Sequence, residues 1–425
     1  MNFLYTLSIH LLTFGIKAAS LFNSKAKDAI TGRRGWRSKL QDKLKNNKQD
    51  IIWIHVSSLG EFEQARPLIV RIKQEYPQYK ILLTFFSPSG YNARKDFEYA
   101  DYVFYLPYDT PRNVTDFMDI VKPKFILFVK YEFWLNYLNE IIKRKKQYDL
   151  KCFLISSIFR KHQPFFKWYG GIFRRALAAF DIIFVQDKLS VKLLKKINIA
   201  DHVYLSGDTR VDRVVEIARQ PYKSEVVEKF CGNEKVIICG STWWQDEKII
   251  IPTLVHLQSQ FKFKVIIAPH HPDDKNIRQL TELLKRQNLS YCRYTQIAND
   301  KKVEKSDVMI IDTIGVLNKI YRYGYLAYIG GGFSDGIHNI LEPAAYGLPV
   351  IFGKKYQKFY EAVELIKMKG AYSVSNEKEL YFIFQMLFAE DKVYTTSKNA
   401  VSQFITEQKG GVERTMNVLY EYLRR

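Results

Sequence analysis

Residues 51–67 read IIWIHVSSLGEFEQARP, and the fold class follows from them. Six β-branched and aromatic residues, 51–56, end in a small-residue turn of Ser57, Ser58 and Gly60, after which Glu61 opens a helix. This is one strand–turn–helix unit with its turn at the carboxyl end of the strand. Working outward, runs of the same kind recur between longer amphipathic stretches: ILLTFF at 81–86, YVFYL at 102–106, FILFV at 125–129, CFLIS at 152–156 and IIFV at 182–185. Strands alternating with helices predict a parallel, doubly wound sheet. After VYLSG at 203–207 the series restarts with VIICG at 236–240, VIIAP at 265–269, VMIID at 308–312, YLAYIGGG at 325–332 and VIFG at 350–353. The chain therefore reads as two similar α/β halves, with the break in the charged, strand-poor stretch 208–234. Two open sheets facing a central cleft would bind ligands at the carboxyl ends of their strands.

A length of 425 residues agrees with two cores. An apolar fraction of 47% excludes a disordered chain, and no segment shows low complexity or a short repeat. With 65 Lys and Arg against 44 Asp and Glu, the net charge of +21 calls for an anionic partner: nucleic acid, an acidic membrane surface or a phosphorylated substrate. Cys152, Cys231, Cys239 and Cys292 lack CxxC spacing and read as buried, reduced thiols. The first 22 residues carry Leu4, Leu7, Leu11 and Phe14 at helical spacing, interrupted by His10 and Lys17, and the basic residues Lys25, Lys27, Arg33, Arg34 and Arg37 follow them. A signal peptide places its positive charge before the apolar stretch, so an uncleaved anchor is expected, either spanning the bilayer or lying in its interface. The basic flank should face anionic lipid.

Several strand ends carry side chains suited to chemistry. Glu61 can act as a general base on a substrate hydroxyl, or simply complement the helix dipole. Glu132, within FVKYEFWLN at 128–136, stands among Tyr131, Phe133 and Trp134, a cluster that suits a sugar and equally a core. In SGDTRVDR at 206–213, Arg210 can offset charge on a phosphate leaving group, or be a solvated surface cation. CGSTWWQDE at 239–247 takes a strand into a helix and offers either an anion site or an N-cap at Ser241 or Thr242. APHHPDD at 268–274 ends a strand on paired histidines without other ligands at zinc spacing, and DTIG at 312–315 closes another strand with a turn. The longest signal is YIGGGFSDGIHNILEPAAYGLPVIFG at 328–353. Three glycines permit close backbone approach, and 339–342 begin a helix whose N-terminus can hold a phosphate while Glu342 accepts ribose hydroxyls. It is neither GxGxxG nor a P-loop, which removes support for a dinucleotide oxidoreductase or a P-loop NTPase.

With these residues in view, the chain resembles the 3-deoxy-D-manno-octulosonic acid (Kdo) transferases of lipopolysaccharide assembly, the lipid IVA Kdo transferase family, over almost its whole length. The family's GRR matches Gly32 to Arg34, its SxGE matches Ser58 to Glu61, its ExW matches Glu132 to Trp134, and its GG…HNxLEPAxxGxPV run matches Gly331 to Val350. The resemblance implies a GT-B fold: two Rossmann-like domains facing a central cleft, with an N-terminal membrane-anchor helix. The divisions expected are an anchor at 1–30, an acceptor-binding domain at 31–215, a CMP-Kdo-binding domain at 216–405, and a C-terminal helix at 406–425 able to pack back on the first domain.

It further implies inverting, metal-independent transfer of Kdo from CMP-Kdo to a lipid A precursor, without a cofactor, at the cytoplasmic face of the inner membrane. An anionic membrane surface would be a partner and nucleic acid would not. Glu61 would be the base, with Glu132 and Arg210 stabilising the transition state. CMP would be held by Pro269 and His270, by Ile314, Gly315 and Val316, and by Asn339, Ile340, Leu341 and Glu342. Two departures stand out: His270 replaces the arginine of a Pro-Arg-His-Pro run, and Val316 replaces the acid of DTxGE. Arg210 stands where others often carry Lys. Competing readings are a GT-B transferase or epimerase using a UDP-sugar, and a basic membrane- or nucleic-acid-binding protein, which accounts for the charge but not for the order of the motifs.

Overall fold

A computed structural model describes residues 2–299 and 303–424. The chain forms two compact units, Met1–Asp212 with Gly410–Arg425, and Arg213–Lys409. In the first, seven strands form one sheet: β1 (Ile51–Val56), β2 (Lys80–Phe85), β3 (Tyr102–Tyr105), β4 (Phe125–Val129), β5 (Lys151–Ser157), β6 (Ile182–Val185) and β7 (Val203–Leu205). All pair in parallel, in the order β3-β2-β1-β4-β5-β6-β7. Strand order reverses at β1 and β4, so the loops leaving these two strands flank the crevice that such a sheet offers a ligand.

β1 and β4 are buried along their whole length, as strands covered by helices on both faces must be. The period of two divides β1 between two cores. Ile51 and Trp53 join Phe117, Phe128 and Tyr137 on one face, and Ile52, Ile54 and Val56 join Phe62, Leu83 and Phe184 on the other. The second core is completed by Met416, Leu419 and Leu423 of the helix Gly411–Leu423, which returns to this unit. Asp212 receives the N–H groups of Gly410 at 2.6 Å and Val412 at 2.7 Å, fixing that helix at its start.

The second unit repeats the plan with β8 (Lys235–Thr242), β9 (Phe263–Pro269), β10 (Tyr291–Arg293), β11 (Val308–Ile310), β12 (Leu326–Ile329), β13 (Val350–Gly353) and β14 (Ala371–Val374). The sheet is parallel throughout, ordered β10-β11-β9-β8-β12-β13-β14, and its order reverses at β8 and β12. Two strands escape the sequence reading, β10 and β14. Both are short edge strands, and neither YCR nor AYSV spells an apolar run. All four cysteines are buried, and none forms a disulfide.

Three helices precede β1: Asn2–Ala19, Ser24–Gly32 and Trp36–Leu44. The first is docked on the body of its unit, where Tyr5 donates to Asp109 at 2.6 Å and Ile9 is buried. Among the described residues no helix is long and apolar enough to cross a membrane. At about 1.5 Å per residue an 18-residue helix spans ~27 Å, short of a ~30 Å hydrocarbon core, and His10 and Lys17 interrupt its apolar run. A spanning anchor therefore has no support. What the helix does present is an exposed apolar face, with Phe3 76%, Leu11 63% and Phe14 71% accessible, continued by Phe22 at 93%.

The Gly-Arg-Arg turn ties these helices to the sheet. A Cβ on Gly32 would lie 2.2 Å from the Tyr105 ring, so only glycine allows the approach. The buried Arg33 donates to the carbonyls of Leu106 at 2.7 Å, Phe86 at 2.7 Å and Ala29 at 3.0 Å. Its guanidinium also lies 4.6–4.9 Å from the rings of Phe86, Tyr105 and Tyr108.

Candidate active site

The loop leaving β1 folds as the sequence demands. Ser58 caps the helix Leu59–Glu75, its hydroxyl accepting from Glu61 N at 3.4 Å, and Glu61 reciprocates by accepting from Ser57 N at 2.6 Å and Ser58 N at 3.1 Å. Both backbone bonds fall on Oε2, which orients the carboxylate. The half-buried Glu61 thus fills the capping role and is also set up for chemistry. Burial, and then the charge of Glu132, push its pKa up to about 8, against the opposing pull of Ser57 N–H and Lys130.

Glu132 leaves β4 on the neighbouring strand and is almost wholly buried. Its Oε2 meets His55 Nε2 at 3.0 Å and accepts from the indole of Trp134. The other ring nitrogen of His55 lies 2.9 Å from the Thr84 hydroxyl and 3.1 Å from its carbonyl. Trp53 Nε1 also donates to that hydroxyl, at 2.8 Å. Burial disfavours the Glu132 charge, but His55 and the hydrogen bonds of His55, Ser57 and Trp134 outweigh it and hold the carboxyl below its ordinary range. Two neighbouring carboxyls are thereby pushed apart, Glu132 kept ionised and Glu61 poised near neutrality, the pattern by which acid and base roles separate.

Arg210 stands in the first turn of the helix Thr209–Arg219, after β7. Its guanidinium is clamped by the buried Asp208, with Nε 3.1 and 3.0 Å from the two carboxylate oxygens and Nη2 at 2.5 Å. Burial opposes the Asp208 charge, and Arg210 more than offsets it. Lys130, in the left-handed region at φ 67°, acts electrostatically on both Glu61 and Asp208, so a second cation belongs to this cluster. The structure thus places Glu61 beside Glu132 in the first unit, and Lys130 links them to the Asp208–Arg210 pair. It adds His55, Lys130 and Asp208, to which the sequence reading gave no role. His55 was within reach: it lies two residues after Trp53 on a strand, hence on the same face. Lys130 was not, because its backbone conformation carries no local signal.

In the second unit the glycines after β12 are required sterically. A Cβ on Gly330 would meet Ser241 O at 2.2 Å, one on Gly331, at φ 91°, would meet Gly336 O at 2.3 Å, and one on Gly332 would meet the backbone of Gly353 at 2.5 Å. The buried Asp246 pins this turn, accepting from Gly331 N and Trp243 N, each at 2.9 Å, and from Tyr328 at 2.9 Å. Ser241 and Thr242 therefore do not cap the following helix by their side chains; Asp246 does so from inside.

His270, which follows Pro269 at the end of β9, stacks on His338 with ring centroids 4.1 Å apart and on Trp243 at 4.9 Å. Trp243 Nε1 donates to His338 Nε2 at 2.7 Å, and burial, followed by the two neighbouring histidines, lowers the His338 pKa to about 4. These rings stack instead of converging, and no group of three His, Cys, Asp or Glu side chains among the described residues is arranged to hold a metal ion. Asn339 adjoins the stack, donating from Nδ2 to Glu342 at 3.1 Å and accepting from Leu341 N at 3.1 Å. Burial raises the Glu342 carboxyl despite Asn339 and Arg213. Ile340 and Leu341 are buried, and the helix they begin, Leu341–Ala344, is a single turn. Ile314 is 84% exposed on the loop after β11, Gly315 has φ 91°, and Val316 starts the short helix Leu317–Ile320. That helix is tied to the 328–353 run by Tyr346, whose hydroxyl donates to Asn318 O at 2.8 Å. The nucleotide residues expected from sequence thus stand in the segments that follow β9, β11 and β12; His270 belongs to the ring stack, Asn339 follows its His338 in sequence, and Ile314 is exposed.

Comparison with known proteins agrees with the two-sheet architecture. Residues 31–213 match the profile of the 3-deoxy-D-manno-octulosonic-acid transferase (kdotransferase) family. A bifunctional glycosyltransferase/methyltransferase of Fusobacterium nucleatum is 27% identical over 345 residues, 78% of this chain, which spans about half (51%) of that longer protein. A 3-deoxy-D-manno-octulosonic acid transferase of Haemophilus influenzae is 26% identical over 392 residues, covering 88% of this chain and 87% of that one. In fold, the chain is similar to the UDP-GlcNAc 2-epimerase of Neisseria meningitidis bound to UDP-GlcNAc, with a TM-score of 0.60 at 14% identity, covering 89% of this chain and 100% of that one. With the same motifs in order along the sequence, the chain is similar over most of its length to 3-deoxy-D-manno-octulosonic acid transferases, the glycosyltransferases whose family profile its residues 31–213 match.

Proposed function

We propose that this enzyme transfers Kdo from CMP-Kdo to a hydroxyl of a lipid A precursor, with inversion at the anomeric carbon. The observation that carries the reading is the pair of neighbouring carboxyls at the ends of β1 and β4, whose pKa values are driven apart by burial and by His55. In its ionised form Glu61 takes the proton of the acceptor hydroxyl. The acceptor oxygen then bonds to the anomeric carbon of Kdo as the bond from that carbon to the phosphate oxygen breaks, and CMP leaves with the bonding pair. Arg210, held rigid by Asp208, and Lys130 supply positive charge to offset the negative charge that develops on the departing phosphate. Glu132, ionised beside His55, maintains the field that keeps Glu61 basic.

In the second unit, Pro269–His270, Ile314–Val316 and Asn339–Glu342 are assigned to CMP. Backbone N–H groups take the phosphate and Glu342 the ribose hydroxyls. The exposed apolar face of the first helix, flanked by Lys17, Lys25 and Lys27, supports a place in the interface of an anionic membrane. We assign that membrane as the inner membrane, with both units on its cytoplasmic side.

The test is incubation of the purified protein with CMP-Kdo and a tetraacylated lipid A precursor in the presence of EDTA, following CMP release and acceptor mass. Stepwise mass gain of Kdo is expected. No gain, with turnover of a UDP-sugar instead, overturns the assignment.

A further inference from the structure

Beside the first helix runs a groove of about 410 Å³. Leu12, Gly15 and Ile16 form one wall and Ala26 and Ala29, from the helix Ser24–Gly32, the other. It is open because its walls are short: a Cβ added to Gly15 meets nothing within 4 Å. Lys25 and Arg33 also line the groove, and the neighbouring Leu11, Leu21 and Phe22 are exposed apolar side chains, 63%, 77% and 93% accessible.

Phe86, Ser87 and Tyr108 line the groove on the side of the sheet, and two of them connect to the residues that hold the carboxylates. The Phe86 ring packs 4.8 Å from Trp134, whose indole holds Glu132. Ser87 N donates to Ser57 O at 2.8 Å, and Ser57 N in turn holds Glu61 at 2.6 Å. A molecule whose hydroxyl reaches Glu61 therefore has an apolar slot directly beside its reacting end. Charge names the chemistry of that molecule, because residues 2–44 carry eight Lys and Arg against only Asp28 and Asp42. Apolar walls with a cationic approach complement an acyl chain attached to a phosphorylated headgroup.

We propose that this groove seats one acyl chain of the lipid acceptor itself, drawing it out of the bilayer so that the sugar hydroxyl reaches Glu61. The inference rests on the acylated acceptor of the functional reading. It makes the groove a substrate subsite, distinct from the helix face that meets bulk lipid.

The test uses the full chain carrying Gly15→Leu, which places a side chain in the groove and improves helix propensity, so the helix persists. Ala26→Leu does the same from the opposite wall. Burial of one methylene is worth about a fourfold gain in affinity, so loss of about two should raise KM for the tetraacylated acceptor about tenfold. KM for the same acceptor stripped of its acyl chains should stay within about twofold, and binding to vesicles containing phosphatidylglycerol should not change. An unchanged KM for the tetraacylated acceptor overturns the groove. So does a parallel loss on both acceptors together with weaker vesicle binding, which would assign the groove to bulk lipid. Wild-type protein that turns over neither acceptor overturns the functional reading, and the groove with it.

Discussion

Glu61 carries two duties, helix cap and base, and one substitution separates them. Glu61→Gln keeps an amide oxygen able to accept the N–H groups of Ser57 and Ser58, as capping boxes with Gln do, and removes the base. With a pKa of about 8, roughly nine-tenths of the wild-type carboxyl is protonated at pH 7, so a neutral amide of the same shape should cost under ~0.5 kcal/mol there. Glu61→Ala loses the cap as well and should cost about 1 kcal/mol.

Because burial holds the folded-state pKa above that of the unfolded chain, the protonated form favours folding below pH ~4.5, and this contribution is lost as pH rises through about 8. Wild type should therefore lose stability relative to Glu61→Gln across that window. In turnover, loss of a general base should lower kcat by 10²–10⁴, about 3–5 kcal/mol in barrier height, in both variants. Urea unfolding from pH 5 to 9 and CMP release at saturating substrates read the two duties separately. A Gln variant whose kcat stays within about threefold of wild type, or which is destabilised as much as the Ala variant, refutes the reasoning.

In wild type, kcat/KM should climb with pH through about 8 as Glu61 ionises. Glu132→Gln, which removes the second largest cause of that elevation, should move the limb to lower pH; a limb that stays in place would show that Glu132 does not act on Glu61. Arg33→Lys cannot reproduce a fork to three carbonyls and three rings, and should lower the unfolding free energy by about 3 kcal/mol, an expectation that an unchanged urea midpoint contradicts. Gly331→Ala puts a Cβ at φ 91° against Gly336 O, and should cost about 2 kcal/mol and weaken CMP binding in calorimetry; wild-type values of both would overturn the steric reading. Trp243→Phe keeps a ring but removes the N–H that holds His338, and should raise KM for CMP-Kdo severalfold while sparing kcat, so an unaltered KM removes the histidine stack from the donor site.

Much of the architecture is legible in one dimension, because each strand of a parallel sheet is buried on both faces and must spell an apolar run. IIWIHV, FILFV, IIFV and VIFG coincide with β1, β4, β6 and β13 to the residue. The Ser58–Glu61 box is equally local, since both partners lie within one helical turn. β10 and β14 escape because their sequences, YCR and AYSV, mix polar and small residues into edge strands too short to show a pattern.

Strand order, the pairing of His55 with Glu132 across 77 positions, and the return of the helix Gly411–Leu423 to the first core are decided only when distant segments pack. The elevated pKa of Glu61 belongs to the same class, since burial and a neighbour's charge create it and neither is a property of the local sequence. The residue types at 61, 132 and 210 were therefore fixed in the chain's order, whereas their protonation states and partners arise from the tertiary fold, which sets dielectric and distance.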